Sequence, residues 1–183
     1  MVSYGSGRRC RRGLTAAVVG LVFFSPALAN LTASLELCVT VPSVLSILGP
    51  VGPVSITHDG TNNVQSFSGQ PFTVLSNQVD GATVTFRCVG GFIHTVSSTS
   101  VRDCDLGLAL TSADPGSNWT VDVPTDGTDV GALVPDLIAE VEASSDAPGD
   151  AVFALDVGMD GGAASQLPPG VYCTTIVATV TAN

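Results

Sequence analysis

The sequence predicts an all-β protein with two antiparallel sheets packed as a sandwich, on three observations. Short segments alternate apolar and polar side chains, as strands with one buried face do. Asp-Gly and Pro-Gly turn signals separate these segments. Four cysteines recur along the chain beyond residue 29, at Cys38, Cys88, Cys104 and Cys173. Short alternating strands bury a core only against a second sheet, so a sandwich closed by disulfides is the expected architecture.

The first 29 residues have the three parts of a secretory signal. Two arginine pairs precede an apolar run from Leu14 to Phe24, and Ala27-Leu28-Ala29 supplies the small residues of a cleavage site. We therefore expect a signal peptide at 1–29, a single β-sandwich domain at 30–183, and a secreted, periplasmic or cell-surface location. The apolar run is too short for an ordinary membrane span, so no membrane insertion is expected after cleavage. An uncleaved anchor and a twin-arginine export route are the alternatives.

The charge of the exported chain is strongly negative. Cleavage after Ala29 leaves two basic residues, Arg87 and Arg102, no lysine, and 16 acidic residues, for a net charge of −14 with neutral histidines. Such a surface repels phosphate backbones and anionic lipids, so we expect no nucleic-acid partner. Solubility outside the cell explains the acidity, and a halophilic source or weak divalent-cation binding are alternatives.

The four remaining cysteines predict two disulfides, for which three connectivities exist. Cys88–Cys104 would close the glycine-rich excursion VGGFIHTVSSTSVRD, and Cys38–Cys173 would join the first strand to the last. The spacing contains no CxxC pair, which disfavours a zinc knuckle. We favour this connectivity over the other two.

The strand pattern continues through most of the chain. A hairpin is predicted around Val79-Asp80-Gly81, because Asp-Gly provides the positive φ angles of a tight turn. The helical spacing after Asp129 is interrupted by Pro135, which leaves room only for one turn of helix running into a strand. The predicted strands are NLTASLELCVTV (30–41), PVSITHDG (53–60), PFTVLSNQ (71–78), ATVTFRCVG (82–90), LGLALTS (106–112), NWTVDVP (118–124), LIAEVEASS (137–145), AVFALDVGM (151–159) and VYCTTIVATVTAN (171–183).

Residues that could carry chemistry are few, and no cofactor is expected. Asp122, Asp126 and Asp129 lie on one loop and are the candidates for a calcium site, although DVPTDGTD departs from the EF-hand spacing and solvated turn acids are the simpler interpretation. His58 and His94 lack a nucleophile motif and are interpreted as surface imidazoles near turns. Three aromatic residues could contact glycans or belong to the core: Trp119, Tyr172 and Phe92.

Three stretches give the chain a layout that resembles the pilin-like subunits of bacterial surface fibres. They are NLTASLELCVTV followed by PSVLSILGP, FTVLSNQVDGATVTFRC, and the closing LPPGVYCTTIVATVTAN. The resemblance implies an immunoglobulin-like sandwich and assembly by donor-strand complementation, in which one subunit's leading strand fills a groove in its neighbour. The donor side chains would be Leu31, Ala33, Leu35, Leu37 and Val39.

The leading strand has a second interpretation, which we favour at this point: it completes the sandwich of its own molecule. A Cys38–Cys173 bond would pin it there and leave only 30–37 free to reach a neighbour. We expect an exported, non-catalytic structural or adhesive protein, fimbrial- or coat-subunit-like, whose partners are itself or other surface subunits. A secreted calcium- or glycan-binding module and a small secreted hydrolase are the alternatives.

Overall fold

The structure, a computed structural model, describes residues 35–183, so the expected signal peptide and positions 30–34 lie outside it. The chain divides into two units, Met1–Thr40 and Val41–Asn183. In the first unit, the described residues 35–40 have no regular secondary structure. The second unit contains all of the strands named below.

Within residues 35–183, eleven strands form two antiparallel sheets, which confirms the predicted all-β class. Sheet A has the order β1-β2-β9-β5-β4-β10, with β7 also beside β5, and sheet B has the order β11-β3-β8-β6. A single 3-10 turn occupies Ala164–Gln166. The strands are β1 Leu45–Leu48, β2 Gln65–Ser76, β3 Ala82–Val89, β4 Phe92–His94, β5 Val101–Ala113, β6 Thr120–Val123, β7 Thr125–Gly127, β8 Ile138–Ser144, β9 Ala151–Asp160, β10 Tyr172–Cys173 and β11 Ile176–Ala182.

The two sheets share one core built on aromatic contacts. Phe86 of β3 lies edge-on to Phe72 of β2, with ring centroids 4.9 Å apart, and to Phe153 of β9 at 6.4 Å. Trp119 packs edge-on against Phe153, and its indole nitrogen donates a hydrogen bond to the Gly149 carbonyl at 3.0 Å. Because these contacts cross from one sheet to the other, the sheets pack face to face, consistent with a β-sandwich. Trp119 is therefore a core residue.

The predicted hairpin around Asp80-Gly81 is wrong. β2 pairs with β1 and β9 in sheet A, whereas β3 pairs with β11 and β8 in sheet B, so the turn carries the chain between sheets. Gly81 has φ +80°, and a Cβ there would overlap the Ser145 carbonyl of the chain crossing over it. Val84 and Phe86 of β3, which the alternation places on one face, are buried, and Val74 of β2 is buried in the same core from the opposite sheet.

Two further predictions of local structure are wrong. Residues 53–60, which the sequence predicts as a strand, form none. The short strand β1 forms earlier instead, within the stretch PSVLSILGP, where no strand is predicted because glycine and proline interrupt the alternation. The chain around Pro135 is a loop rather than a turn of helix, closed by a bridge between Asp129 and Asp136. Its apolar side chains Leu133 and Val134 are exposed, so no face is available to stabilise a helix. Within residues 35–183, none of the helical structure is long and apolar enough to cross a membrane.

The aromatic core gives the first testable prediction. Phe86→Ala removes a completely buried ring that contacts both sheets, so the free energy of unfolding should fall by about 3–5 kcal/mol. Val89→Ala on the same strand, where the side chain is exposed, should change it by less than about 0.5 kcal/mol. Urea denaturation followed by tryptophan fluorescence measures both variants. Equal effects at the two positions would contradict the assignment of Phe86 to the core.

Candidate functional site

An apolar groove of about 1240 Å³ lies at one end of the second unit, which we call the groove end. Here β2 begins, β9 ends and β11 begins, and the rings of Phe67 and Phe92 stack 6.0 Å apart. Besides Gln65 and Gln70 of β2, the sheet residues that line the groove are Phe67, Phe72, Phe92, Leu155, Val157, Met159, Tyr172, Cys173 and Ile176. A groove of this size and apolarity in a β-protein is the default binding-site hypothesis.

Two unpaired strand edges flank the groove. β1 pairs only with Thr73–Ser76 of β2, so the groove-end half of β2, Gln65–Phe72, has β9 as its neighbour on one side alone. β11 ends sheet B and pairs only with β3. Each of these edges presents backbone N–H and C=O groups without a ladder partner in the described structure, and such edges are templates for an added strand.

The segment from Pro50 to His58 lies along the groove and forms no strand. Its side chains Val51, Val54 and Ile56 remain exposed. Within the described chain, this segment makes no backbone hydrogen bond to β2 or β11. This segment therefore borders the groove, but it does not add a strand to the open edge of β2 or of β11.

A strap from Leu167 to Tyr172 forms another wall of the groove and is held by His94. The His94 Nδ1 accepts hydrogen bonds from the amides of Val96 and Ser97 at 3.1 and 3.0 Å, so the proton is on Nε2, which faces the Pro169 carbonyl at 3.3 Å. The Tyr172 ring lies edge-on to the imidazole at 5.0 Å. The prediction of a surface imidazole is wrong for His94, since the side chain is buried and fixes the strap.

The leading segment is the second part of the candidate site. Leu35, Leu37 and Val39 are 82%, 83% and 90% exposed and belong to no strand, so the described part of the predicted first strand does not form one. The favoured interpretation, that this strand completes its own sandwich, is therefore not what these residues show. Leu31 and Ala33, the other expected donor residues, lie outside the described residues.

The chain enters the second unit at the end opposite the groove. The Asn77 amide holds this start by donating to the Pro42 carbonyl at 2.8 Å and accepting from the Val44 amide at 2.7 Å. Asn77 directly follows the last residue of β2, whereas the groove surrounds the first residues of that strand. The strand β2, which is 12 residues long, thus separates the two features.

The four cysteines among the described residues are free thiols in this structure, and they fall into two kinds. Cys88 of β3 and Cys104 of β5 are completely buried on facing sheets. A hydrogen bond between the two thiols lowers the pKa of Cys88, with a further contribution from Thr174, and raises the pKa of Cys104 together with burial. Cys38 and Cys173 are exposed. Neither expected disulfide is formed here, although Cys88 and Cys104 are neighbours.

Among the described residues, no group of three or more His, Cys, Asp or Glu side chains is placed to hold a metal ion. The Asp126 carboxylate accepts from the Glu140 amide at 2.7 Å, and Asp122 accepts from the Thr120 hydroxyl at 3.2 Å. Asp129 takes part in the bridge to Asp136 through its backbone.

Away from these candidates, partial burial raises the pKa of Asp105, and the nearby charges of Asp160 and Asp103 raise it further.

The histidines do not form a hydrolase triad among the residues described. The His58 Nδ1 accepts from the Gly60 amide at 2.9 Å, and the partners of His94 are all backbone groups. His58 is the last residue of the segment along the groove. It is followed by Asp59, whose pKa is lowered by hydrogen bonds from the backbone and side chain of Thr61. The arrangement at the groove is thus one of apolar surface and strand edges rather than of a nucleophile and a base.

The groove aromatics Phe67 and Phe72 were not among the candidate binding residues predicted from the sequence. Phe72 was placed in a strand, but no pattern showed that its neighbouring edge would be open.

No protein-family model matches the chain, and no curated protein or solved structure shows significant similarity to it. The pilin-like resemblance therefore stays a prediction.

The strap gives the second testable prediction. A Cβ on Gly170 would overlap the His94 imidazole, so Gly170→Ala should displace the strap and lower the free energy of unfolding by about 3 kcal/mol. Gly162→Ala is the matched control, because Gly162 has φ +62° but open space around its Cβ, and it should cost only about 1 kcal/mol. Thermal denaturation compares the two. Equal losses would show that His94 does not hold the strap.

Proposed function

We propose that this chain is an exported, non-catalytic structural or adhesive subunit of a surface fibre or coat, which assembles by strand addition between copies. A single observation carries the proposal: an exposed alternating segment precedes Pro42, while an apolar groove between two unpaired strand edges lies at the opposite end of the second unit. Strand addition supplies main-chain hydrogen bonds for affinity and pockets for alternate side chains for specificity.

The leading segment has the chemistry that the groove requires. Leu35, Leu37 and Val39 recur every second residue, so an extended chain places all three on one face. Burial of each would contribute about 1.5–3 kcal/mol relative to exposure in water. Glu36 and Thr40 lie on the other face and would remain in solvent. The segment can therefore fill an apolar groove without burying a charge.

The positions of the two features favour an open assembly. A contact between different surfaces, the leading segment of one copy and the groove of the next, is heterologous and builds chains unless a rotation closes them into a ring. The segment joins the second unit beside Asn77, at the end away from the groove. Copies joined in this way continue head to tail, as a fibre requires.

The same proposal includes an immunoglobulin-like sandwich with an inter-sheet disulfide between Cys88 and Cys104. Both cysteines face the core from opposite sheets, beside the first residues of β11. An inter-sheet disulfide is typical of immunoglobulin domains, where it packs against a buried tryptophan. Here Trp119 packs instead against Phe153, which is a departure from that pattern.

The assembly is tested with the exported protein produced from the full-length chain, studied in reductant. Sedimentation velocity should show oligomers that grow with concentration, because each copy offers both a donor segment and a groove. Leu37→Asp should weaken self-association at least tenfold, since a carboxylate would enter an apolar site. Glu36→Gln, on the opposite face of the same segment, should leave it within about twofold. A strict monomer over a wide concentration range would contradict the proposal.

The buried disulfide is tested by peptide mapping of the exported protein without reduction. We expect one cross-linked peptide pair that contains Cys88 and Cys104. The bond closes a short loop, so its reduction should lower the free energy of unfolding by about 3 kcal/mol. Alkylation of both thiols in the native or denatured oxidised protein would show that the bond does not form.

A further inference from the structure

The two exposed thiols lie on the two surfaces that the proposed assembly would bring together. Cys38 belongs to the exposed leading segment, and Cys173 is an exposed residue of the groove wall. The remaining thiols, Cys88 and Cys104, are buried next to each other and are not accessible to another molecule. The inference below rests on the proposed strand addition and identifies what would hold the joined copies together.

The side-chain alternation leaves both cysteines at exposed positions of such a joint. Cys38 alternates with Leu37 and Val39, so it lies on the polar face of the leading segment. From Val171 to Val180, exposed and partly buried residues alternate, and Cys173 belongs to the exposed set together with Val177. If the leucines of a donor segment enter the groove, Cys38 lies on the face of the segment that remains in solvent, where the exposed Cys173 can be reached.

The spacing of neighbouring strands allows the two sulfurs to bond. Residues directly opposite each other on paired antiparallel strands have Cα atoms about 4.5–5.5 Å apart. A disulfide requires a Cα separation of about 4.4–6.8 Å. Cys173 lies in β10, the last strand of sheet A, which pairs with β4 on one side alone. A donor segment that pairs with the open edge of β10 can therefore bring Cys38 opposite Cys173.

We propose that Cys38 of one copy forms a disulfide with Cys173 of the next, so that strand addition is followed by a covalent lock. The sequence alone suggested this pair within one molecule; the exposed thiols and the groove point to the same pair between molecules. Strand addition without this bond is reversible, whereas the locked joint would persist until a reductant cleaves it.

The oxidation requires a disulfide oxidant, for which a low-molecular-weight disulfide such as oxidised glutathione suffices. The thiolate of one cysteine attacks the oxidant, forms a mixed disulfide and releases one molecule of the small thiol. The thiolate of the other cysteine then attacks the protein sulfur of the mixed disulfide and expels the second small thiol. Two protein thiols are oxidised, and one small disulfide is reduced to two thiols.

A complementary mixture of variants of the full-length, exported protein tests the lock. Cys38→Ser retains only Cys173 as an exposed thiol, and Cys173→Ser retains only Cys38. With oxidised glutathione, the mixture should give a covalent dimer on a non-reducing gel, and peptide mapping should identify Cys38 joined to Cys173. The unmodified protein should give a ladder. A monomer that carries the Cys38–Cys173 bond within one chain would overturn the proposal.

A second comparison distinguishes a disulfide that forms after strand addition from one that forms by random collision of exposed thiols. Adding Leu37→Asp to the Cys173→Ser partner should slow formation of the mixed dimer at least tenfold, and Glu36→Gln should not. Equal rates for these two variants, or an equal rate in denaturant, would overturn the lock. If the copies associate in reductant but form no Cys38–Cys173 bond under oxidant, the lock is wrong and strand addition stands. If they do not associate in reductant, the proposed function itself is wrong.

Discussion

The shortness of β1 is the constraint on which the candidate site depends. This strand covers only the last residues of β2, because the chain then reaches Gly49-Pro50 and turns away. Proline lacks the N–H that a continuing ladder would need. A Cβ on Gly49 would lie within 2.5 Å of the Phe72 ring, so the backbone passes the aromatic core closely at this point. A longer β1 would have covered the edge of β2 and filled the groove from within the molecule.

The remaining core explains how the molecule can keep such a groove without collapsing into it. Phe86, Phe153 and Trp119 are buried in the core between the two sheets and contact one another edge-on through Phe153. At the groove end the walls are fixed independently, by the stacked rings of Phe67 and Phe92 and by the hydrogen bonds of His94. Apolar surface that is held open in this way usually marks an interaction site.

The strands could be predicted from the sequence because alternation reports which side chains point inward, as it does for Val84 and Phe86 of β3. It does not report which strand lies alongside, so the turn at Asp80-Gly81 was taken for a hairpin, although it changes sheets. The groove could not be predicted for the same reason: Phe72 reads as an ordinary inward residue whether or not its neighbour is present. The apolar positions of the leading segment were visible from their spacing, but the spacing alone does not report whether those side chains are buried or exposed.

The connections that change sheets also determine when the chain can fold. β2 to β3, β5 to β6 and β8 to β9 each cross between sheets, so none of these sequence neighbours can form a hairpin alone. β9 completes sheet A between β2 and β5, and β11, at the end of the described chain, pairs with β3. Such long-range pairing slows folding, because the entropy cost of closing long loops comes before the stabilising contacts form. A chain emerging from a ribosome therefore cannot complete sheet B until the residues of β11 are released.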